Sequence, residues 1–165
     1  MYKTLLFMPG NNPGMLVSSD VLGTDAVLID LEDAVAINEK DAARVLVVEY
    51  LKTFKNQTDV FVRINPLDTP FFYDDLDAII DSEIEGIVLP KASVESMEAL
   101  DKYLTEKNSD FKIIGLIETS LGLEMAMEIL SKSKKVIGVL LGAEDLTLDL
   151  GAKRTKESEE IAYAR

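Results

Sequence analysis

Short apolar runs that alternate with helical segments set the strongest limit on how this chain folds. Residues 112–146 show the pattern most clearly. Two runs rich in Ile, Val and Leu, Lys112–Ile117 and Val136–Leu141, have the length and composition of buried parallel strands. Between them, residues 121–134 carry apolar side chains at a helical spacing. The sequence therefore predicts a strand–helix–strand unit here.

The same alternation recurs along the whole chain and predicts a parallel α/β fold. Two architectures fit this pattern, a doubly wound sheet and a (β/α)8 barrel. The barrel is favoured because polar or charged residues follow six successive strands, whereas a doubly wound sheet concentrates its site at one switch point. Strands are predicted at residues 4–8, 26–29, 60–64, 86–89, 112–117 and 136–141, and helices at 15–22, 38–54, 74–82, 94–106 and 121–134, with another beginning at 156.

The chain length limits how much of a barrel is present. A complete TIM barrel usually takes about 250 residues, whereas this chain has 165. We therefore expect an α/β fold of the TIM (β/α)8 type with only about the first six βα units, forming one partial barrel domain over residues 1–165. In the second helix, we expect Lys40 and Arg44 on the solvent side and Val45, Val48 and Leu51 on the buried side.

Composition excludes several classes of function. The chain has 30 acidic against 17 basic residues and a net charge of −13, which argues against nucleic acid as a partner. No apolar run approaches the ~20 residues of a membrane span, and the N-terminus lacks the layout of a signal peptide. We therefore expect a cytoplasmic protein that binds neither nucleic acid nor membrane.

The absence of two residue types narrows the chemistry further. The sequence contains no Cys and no His. Disulfides, thiolate catalysis, Cys-ligated metal sites and His-based triads are therefore excluded. Any general acid–base catalysis would have to use carboxylates, Lys, Tyr or bound water.

Acidic side chains follow the two neighbouring strands of the 112–146 unit. Glu118 comes directly after the first strand, and Asp145 comes shortly after the second. Adjacent parallel strands end about 5 Å apart, so the two carboxylates can converge on one point. Two carboxylates without His or Cys suit a hard cation such as Mg²⁺. The alternative is that both are ordinary loop or helix-capping acids.

Four charged residues lie within or just after earlier strands. Alternate residues of a strand point to the same face, so Asp30 and Glu32 lie on one face of the second strand. They are predicted to point inward at the barrel mouth. Arg63 lies in an apolar strand. It either forms a structural ion pair with an acidic side chain or donates two hydrogen bonds to the carboxylate of a ligand. Lys91 is either a cation for an anionic group or an ordinary loop lysine.

Taken together, the strand-end motifs resemble the HpcH/HpaI aldolase and citrate lyase superfamily, and within it the citrate lyase beta subunits. The motifs run in family order across nearly the whole chain. They are LFMPGNNP (6–13), DAVLIDLEDAV (25–35), EKDAAR (39–44), VRIN (62–65), LPK (89–91), IETSLG (117–122) and LGAEDL (141–146).

This resemblance implies a Mg²⁺-dependent carbon–carbon lyase on a TIM barrel. Such an enzyme cleaves a citryl thioester, carried by CoA or an acyl carrier protein, to oxaloacetate and an acetyl thioester. Relatives cleave malyl-CoA or citramalyl-CoA instead. The expected partners are these thioesters, oxaloacetate, other subunits of a lyase complex and further copies of the chain in a homo-oligomer.

The resemblance also assigns roles to individual residues. Glu118 and Asp145 would hold the metal, Arg63 would bind the substrate carboxylate, and Asp30 and Glu32 would lie behind the metal and its waters. Lys3 stands where the family has a basic residue before the first strand. The expected catalytic residues are Arg63, Glu118, Asp30 and Glu32, and the expected substrate-binding residues are Arg63, Glu118, Lys3 and Lys91.

The chain departs from the family in length, because the last two strand–helix units of the barrel have no counterpart in it. It therefore looks C-terminally truncated. The alternative to an active lyase is a catalytically inactive fragment that needs a complementary chain to close the barrel.

Overall fold

A computed structural model describes residues 2–165 and shows one sheet of six parallel strands, hydrogen-bonded in chain order. Because the order never reverses, the sheet is a curled part of a TIM-type barrel rather than a doubly wound sheet. The predicted partial barrel is confirmed. The strands are β1 Leu5–Pro9, β2 Ala26–Asp30, β3 Asp59–Arg63, β4 Gly86–Leu89, β5 Lys112–Ile117 and β6 Val136–Leu141.

Helices follow each strand and cover the outer face of the sheet. They are α1 Pro13–Val17, α2 Lys40–Thr53, α3 Phe71–Ile79, α4 Val94–Glu106, α5 Ser120–Glu124, α6 Ala126–Ser131 and α7 Ala143–Asp149, with 3₁₀ turns at Ser19–Val21, Ile37–Glu39 and Glu159–Ala164. Local sequence explains several helix starts. Asn12 and Thr119 accept backbone N–H bonds at the starts of α1 and α5, and Ser93 forms a capping box with Ser96 at the start of α4.

Three predicted helices differ in the structure. Residues 121–134 form two short helices, α5 and α6, because Met125 leaves the helical conformation between them. The segment 15–22 divides into α1 and a 3₁₀ turn, and the helix expected from residue 156 is a 3₁₀ turn at Glu159–Ala164. The segment after β6 turns at once into α7, so Asp145 lies in the first turn of a helix.

Each face of the sheet has its own apolar core. The larger core lies between the outer face and the helices. The smaller one fills the inside of the curled sheet with side chains that alternate along the strands, as the two-residue period of a strand requires. The inner cluster consists of Ala26, Leu28, Phe61, Val88, Ile114 and Leu116. Continuing the alternation along β2, β3 and β5 brings residues 30, 63 and 118 to the same inner face.

The two edge strands are only partly covered. β1 and β6 are the edges of the six-stranded sheet, and both present apolar side chains to solvent. Leu6 and Phe7 are 37% and 39% exposed on β1, and Ile137 and Val139 are 47% and 49% exposed on β6. Within residues 2–165, no helix combines the length and apolar character needed to cross a membrane.

Candidate functional site

An ion pair joins the carboxyl ends of β2 and β3. Asp30 and Arg63 are register partners in the sheet. Arg63 donates from Nε to Asp30 Oδ1 at 2.7 Å and from Nη2 to Asp30 Oδ2 at 2.6 Å. This bidentate geometry is the strongest that a guanidinium and a carboxylate form. Burial alone would lower the pKa of Arg63, but the hydrogen bonds and charge of Asp30 outweigh it, so the pKa is raised.

The Asp30 carboxylate also shapes the loop that follows β2. Its Oδ1 accepts the backbone N–H of Glu32 at 2.8 Å, and its Oδ2 accepts that of Ala34 at 3.0 Å. Asp30 is 2% exposed, so these four bonds compensate the burial of its charge. The Asp30 carboxylate therefore fixes both the loop after β2 and the Arg63 side chain.

The carboxyl group of Glu32 is buried, and its oxygens are not hydrogen-bonded within residues 2–165. The residue is 4% exposed. Arg63 Nη1 lies 3.1 Å from Oε2 but is not aligned for a hydrogen bond, and Lys91 Nζ lies 3.9 Å from Oε1. Burial raises the pKa of Glu32 to about 7, despite the opposing charge of Arg63. A buried polar group left unpaired in this way is typical of a site that binds water or a ligand.

Glu118 follows β5 and is held by the backbone of the preceding βα loop. Its Oε2 accepts the N–H of Lys91 at 2.8 Å, and the side chain is 5% exposed. Burial raises the pKa of Glu118, and the negative charge of Asp145 raises it further. Lys91 has a φ of 43°, in the left-handed region that lysine rarely adopts, which points to backbone strain at this position.

Gly142 lies directly against Glu118. A Cβ atom at position 142 would lie 2.5 Å from Glu118 Cγ and 2.7 Å from Oε1. A larger residue at this position would force the Glu118 side chain or the turn between β6 and α7 to move. Gly142 was not among the predicted site residues, although its place between a strand and two acids was a usable signal.

Asp145 is half-buried in the first turn of α7, and its charge acts on Glu118. Two neighbouring carboxylates are the oxygen donors that a hard cation prefers. Within residues 2–165, no group of three or more His, Cys, Asp or Glu side chains is arranged to bind a metal ion. Water or substrate would therefore have to complete the coordination of a cation held by Glu118 and Asp145.

The charge balance at this end of the barrel is negative. The acidic side chains that act on one another here outnumber the cations, and such an excess attracts a metal ion. The acids are Asp30, Glu32, Asp33, Glu118 and Asp145, and the cations are Arg63 and Lys91.

The position of Lys3 does not support its expected role in substrate binding. Lys3 precedes β1, so it lies at the amino end of the sheet, whereas Asp30, Arg63 and Glu118 lie at the carboxyl end. Its backbone N–H donates to Asp25 Oδ2 at 2.6 Å, and the residue is exposed. Lys91 remains next to the candidate site through its contact with Glu32.

Known proteins resemble the chain over nearly all of its length. The sequence model of the family described as HpcH/HpaI aldolase/citrate lyase matches residues 3–165. The chain is 39% identical to the citrate lyase subunit beta of Leuconostoc mesenteroides subsp. cremoris over 172 residues, covering 99% of this chain and 57% of that protein.

Solved structures agree with this match. One is the citrate lyase beta subunit of Mycobacterium tuberculosis complexed with oxaloacetate and magnesium, with a TM-score of 0.76, 30% identity and coverage of 93% of this chain and 65% of that one. Another, of the protein CitE from the same organism with magnesium, acetoacetate and coenzyme A, has a TM-score of 0.79, 30% identity and coverage of 98% and 57%. The chain thus spans less than two thirds of these relatives.

Proposed function

Because this chain belongs to the HpcH/HpaI aldolase/citrate lyase family, we propose that it carries the metal-binding and oxo-acid-binding part of a carbon–carbon lyase site. The observation that carries the proposal is the meeting of Glu32, Arg63 and Glu118 at the carboxyl end of the sheet, with Asp145 beside them. In TIM barrels this end is where active sites form.

Glu118 and Asp145 are the residues that would hold Mg²⁺. When bound, Mg²⁺ supplies Lewis-acid polarisation of a carbonyl oxygen. Support comes from the two oxygen donors, the excess of negative charge and the presence of magnesium with oxaloacetate in the structure of a relative. The backbone N–H of Lys91 orients Glu118 by binding its Oε2, which leaves Oε1 for the ion.

Arg63 would bind the carboxylate of the substrate. Asp30 holds its Nε and Nη2 groups, so the guanidinium is fixed with Nη1 toward Glu32 and Asp33. A pre-oriented guanidinium binds a carboxylate with little loss of side-chain entropy. In this arrangement Asp30 acts through Arg63, and Glu32 accepts hydrogen bonds from water or substrate hydroxyl groups. With a pKa near 7, Glu32 also holds or releases a proton near neutral pH.

The proposed reaction is cleavage of a citryl thioester, on CoA or an acyl carrier protein, to oxaloacetate and an acetyl thioester. The alternative substrates are malyl-CoA and citramalyl-CoA. All of these release a 2-oxo acid, and the groups described here would bind that half of the molecule. Cleavage assays with the three thioesters, using the same protein preparation, would identify the substrate.

Calorimetry with oxaloacetate tests the proposal on the chain as it stands. Oxaloacetate should bind in the presence of Mg²⁺ and not in the presence of EDTA. Succinate, which has two carboxylates but no 2-oxo group, should bind about tenfold more weakly or less. Oxaloacetate binding that is absent with Mg²⁺, or that is equally strong in EDTA, would contradict the proposal.

A conservative substitution tests the role of Arg63. Arg63→Lys should weaken oxaloacetate binding by about 1–3 kcal/mol, because a lysine ammonium cannot hold Asp30 through two N–H groups and also present a fixed donor to the substrate carboxylate. Arg154→Lys is the control, since Arg154 is also paired with carboxylates, those of Glu144 and Glu160, but lies outside the candidate site. If Arg63→Lys folds normally by circular dichroism and binds oxaloacetate like the unmodified chain, Arg63 is only a structural partner of Asp30.

A further inference from the structure

A buried lysine lies beneath the loop that carries Glu32. Lys40 is the first residue of α2 and is 6% exposed. Its Nζ donates to the carbonyl oxygen of Leu31 at 2.7 Å and to that of Glu32 at 2.6 Å. Among residues 2–165, no carboxylate lies within the 4.0 Å of an ion pair with this ammonium group. Two neutral backbone oxygens are its bonded partners.

This burial is unfavourable for the lysine itself. Removal from water lowers the pKa of Lys40, while the charges of Asp30, Asp75, Glu32 and Asp33 act in the opposite direction. Lysine is almost never fully buried unless it is paired. The two hydrogen bonds of the ammonium group restrain the carbonyls of Leu31 and Glu32.

The same stretch of backbone is also fixed from its other side. The Glu32 N–H is bound by Asp30 Oδ1, so Asp30 holds the amide of Glu32 and Lys40 holds its carbonyl. The Leu31 carbonyl takes a second bond, at 3.0 Å, from Asn65 Nδ2. Asn65 is itself fixed by Asp75 Oδ2, which accepts its N–H at 2.8 Å and its Nδ2 at 2.7 Å.

These bonds account for the position of the Glu32 carboxyl. Among residues 2–165 its oxygens have no hydrogen-bond partner, and their ion pairs with Arg63 and Lys91 are the contacts that hold the side chain inside. A carboxylate in that condition gains hydration by turning toward solvent. The bonds to the backbone on both sides of Glu32 fix the position from which its side chain extends into the site, and Lys40 makes two of them.

We propose that Lys40 is a positioning residue that holds the backbone of Leu31 and Glu32 and thereby keeps the Glu32 carboxyl in the candidate site. The inference rests on the proposed function in one respect, that Glu32 contacts the bound water or oxo acid. It assigns a role to the EKDAAR segment, which the metal and carboxylate sites leave without one.

The test compares Lys40→Met, which keeps the aliphatic stem, with Lys52→Met, which removes an exposed lysine from the same helix. Amide hydrogen exchange by NMR is followed at Glu32 and Ala34, with the β2 amides of residues 27–29 as reference. We expect Lys40→Met to speed exchange at Glu32 and Ala34 about tenfold more than in β2, and to weaken Mg²⁺-dependent oxaloacetate binding about tenfold, the scale of one hydrogen bond to a charged group. Lys52→Met should change neither quantity.

A rescue experiment separates the ammonium group from general packing. The chain contains no cysteine, so Lys40→Cys can be alkylated selectively with 2-bromoethylamine while unfolded and then refolded. The aminoethyl group restores an ammonium at nearly the length of lysine. We expect the slow exchange at Glu32 and Ala34 to return. Lys40→Gln, which keeps a shorter donor, serves as the second variant if Lys40→Met does not fold.

Two results would overturn the proposal. One is an equal acceleration of exchange in the loop and in β2, because a lysine that matters only for stability affects both. The other is a loosened loop with unchanged affinity for oxaloacetate. If the unmodified chain binds no oxaloacetate, the proposed function fails, and the exchange rates and the aminoethyl rescue still decide whether Lys40 holds the Glu32 loop.

Discussion

Glu32 shows how burial and chemistry are linked at the scale of a single residue. Its carboxyl oxygens are enclosed at the carboxyl end of the sheet without hydrogen-bond partners among residues 2–165. The pKa near 7 follows mainly from this burial. Arg63 and Lys91 moderate the effect but do not cancel it. Glu32 therefore destabilises the fold when ionised.

This gives a pH-dependent stability with a defined sign. The pKa of Glu32 is raised from 4.5 to about 7, so between these values the folded chain holds a proton that the unfolded chain releases. The free energy of unfolding therefore falls as the pH rises through this window. Glu32→Gln removes this contribution and should stabilise the chain by about 1–3 kcal/mol at about pH 8, with a smaller gain near pH 5.

Urea unfolding in EDTA at both pH values measures this difference. The raised pKa of Asp75 is shared by both chains and cancels in the comparison. The charges of Glu32 and Glu118 act on each other, so the difference measures Glu32 together with this coupling. Glu49→Gln, on the exposed face of α2, is the control for removing a carboxylate at the surface. A stabilisation by Glu32→Gln that is constant with pH, or larger near pH 5, would contradict the account.

At the scale of elements, the strands are the part of the fold that the sequence predicts best. Buried parallel strands are continuous apolar runs, and their period of two correctly predicted that Asp30 lies on the inner face. The carboxyl ends of parallel strands meet at one edge, which is why Asp30, Arg63 and Glu118 could be grouped in advance. Lys3 lies apart from this group because it precedes a strand rather than following one.

Helix α2 shows why the remaining structure was harder to predict. Lys40 and Arg44 were expected on the solvent side and Val45 on the buried side. Instead Lys40 is buried and Val45 is 64% exposed. The partners that make this possible, Asp75 and the carbonyls of the β2–α2 loop, are distant in sequence or belong to the backbone. A hydrophobic pattern contains no information about such partners.

The turn between β6 and α7 offers a test at this scale. Gly142→Ala places a Cβ atom within 2.5 Å of Glu118 Cγ, so the glutamate or the turn must move. We expect a loss of about 1–3 kcal/mol of stability from overpacking, together with weaker metal binding. Gly138→Ala in β6 is the matched control, because nothing lies within 4 Å of its added methyl group. Equal effects in the two variants, by urea unfolding and metal titration, would argue against the close packing of Gly142 on Glu118.

At the scale of the whole molecule, the two edges of the sheet govern how the chain behaves alone. β1 and β6 expose apolar side chains beside unpaired backbone groups, a combination that favours association. We expect the 165-residue chain to self-associate and to show little lyase activity. Size-exclusion chromatography with light scattering measures the first property, and a thioester cleavage assay the second.

A double substitution in β6 serves as the control for the predicted self-association. Ile137→Lys with Val139→Lys places charge on two exposed positions of the edge strand β6 and should shift the chain toward monomer. A monodisperse unmodified monomer with turnover of about 1–10³ s⁻¹, the usual range for enzymes, would show that six units suffice for activity.

The central claim is that Glu118 and Asp145 together bind a divalent cation, and titration with Mn²⁺ in competition with Mg²⁺ tests it most directly. Two variants of neighbouring acids in the first turn of α7 are compared, Asp145→Ala and Glu144→Ala; Glu144 is exposed and pairs with Arg154. Asp145→Ala should weaken Mn²⁺ binding at least about tenfold, since even residues outside a coordination shell change affinity by 10–100-fold. Glu144→Ala should bind like the unmodified chain. Equal affinity in Asp145→Ala and the unmodified chain would contradict the account.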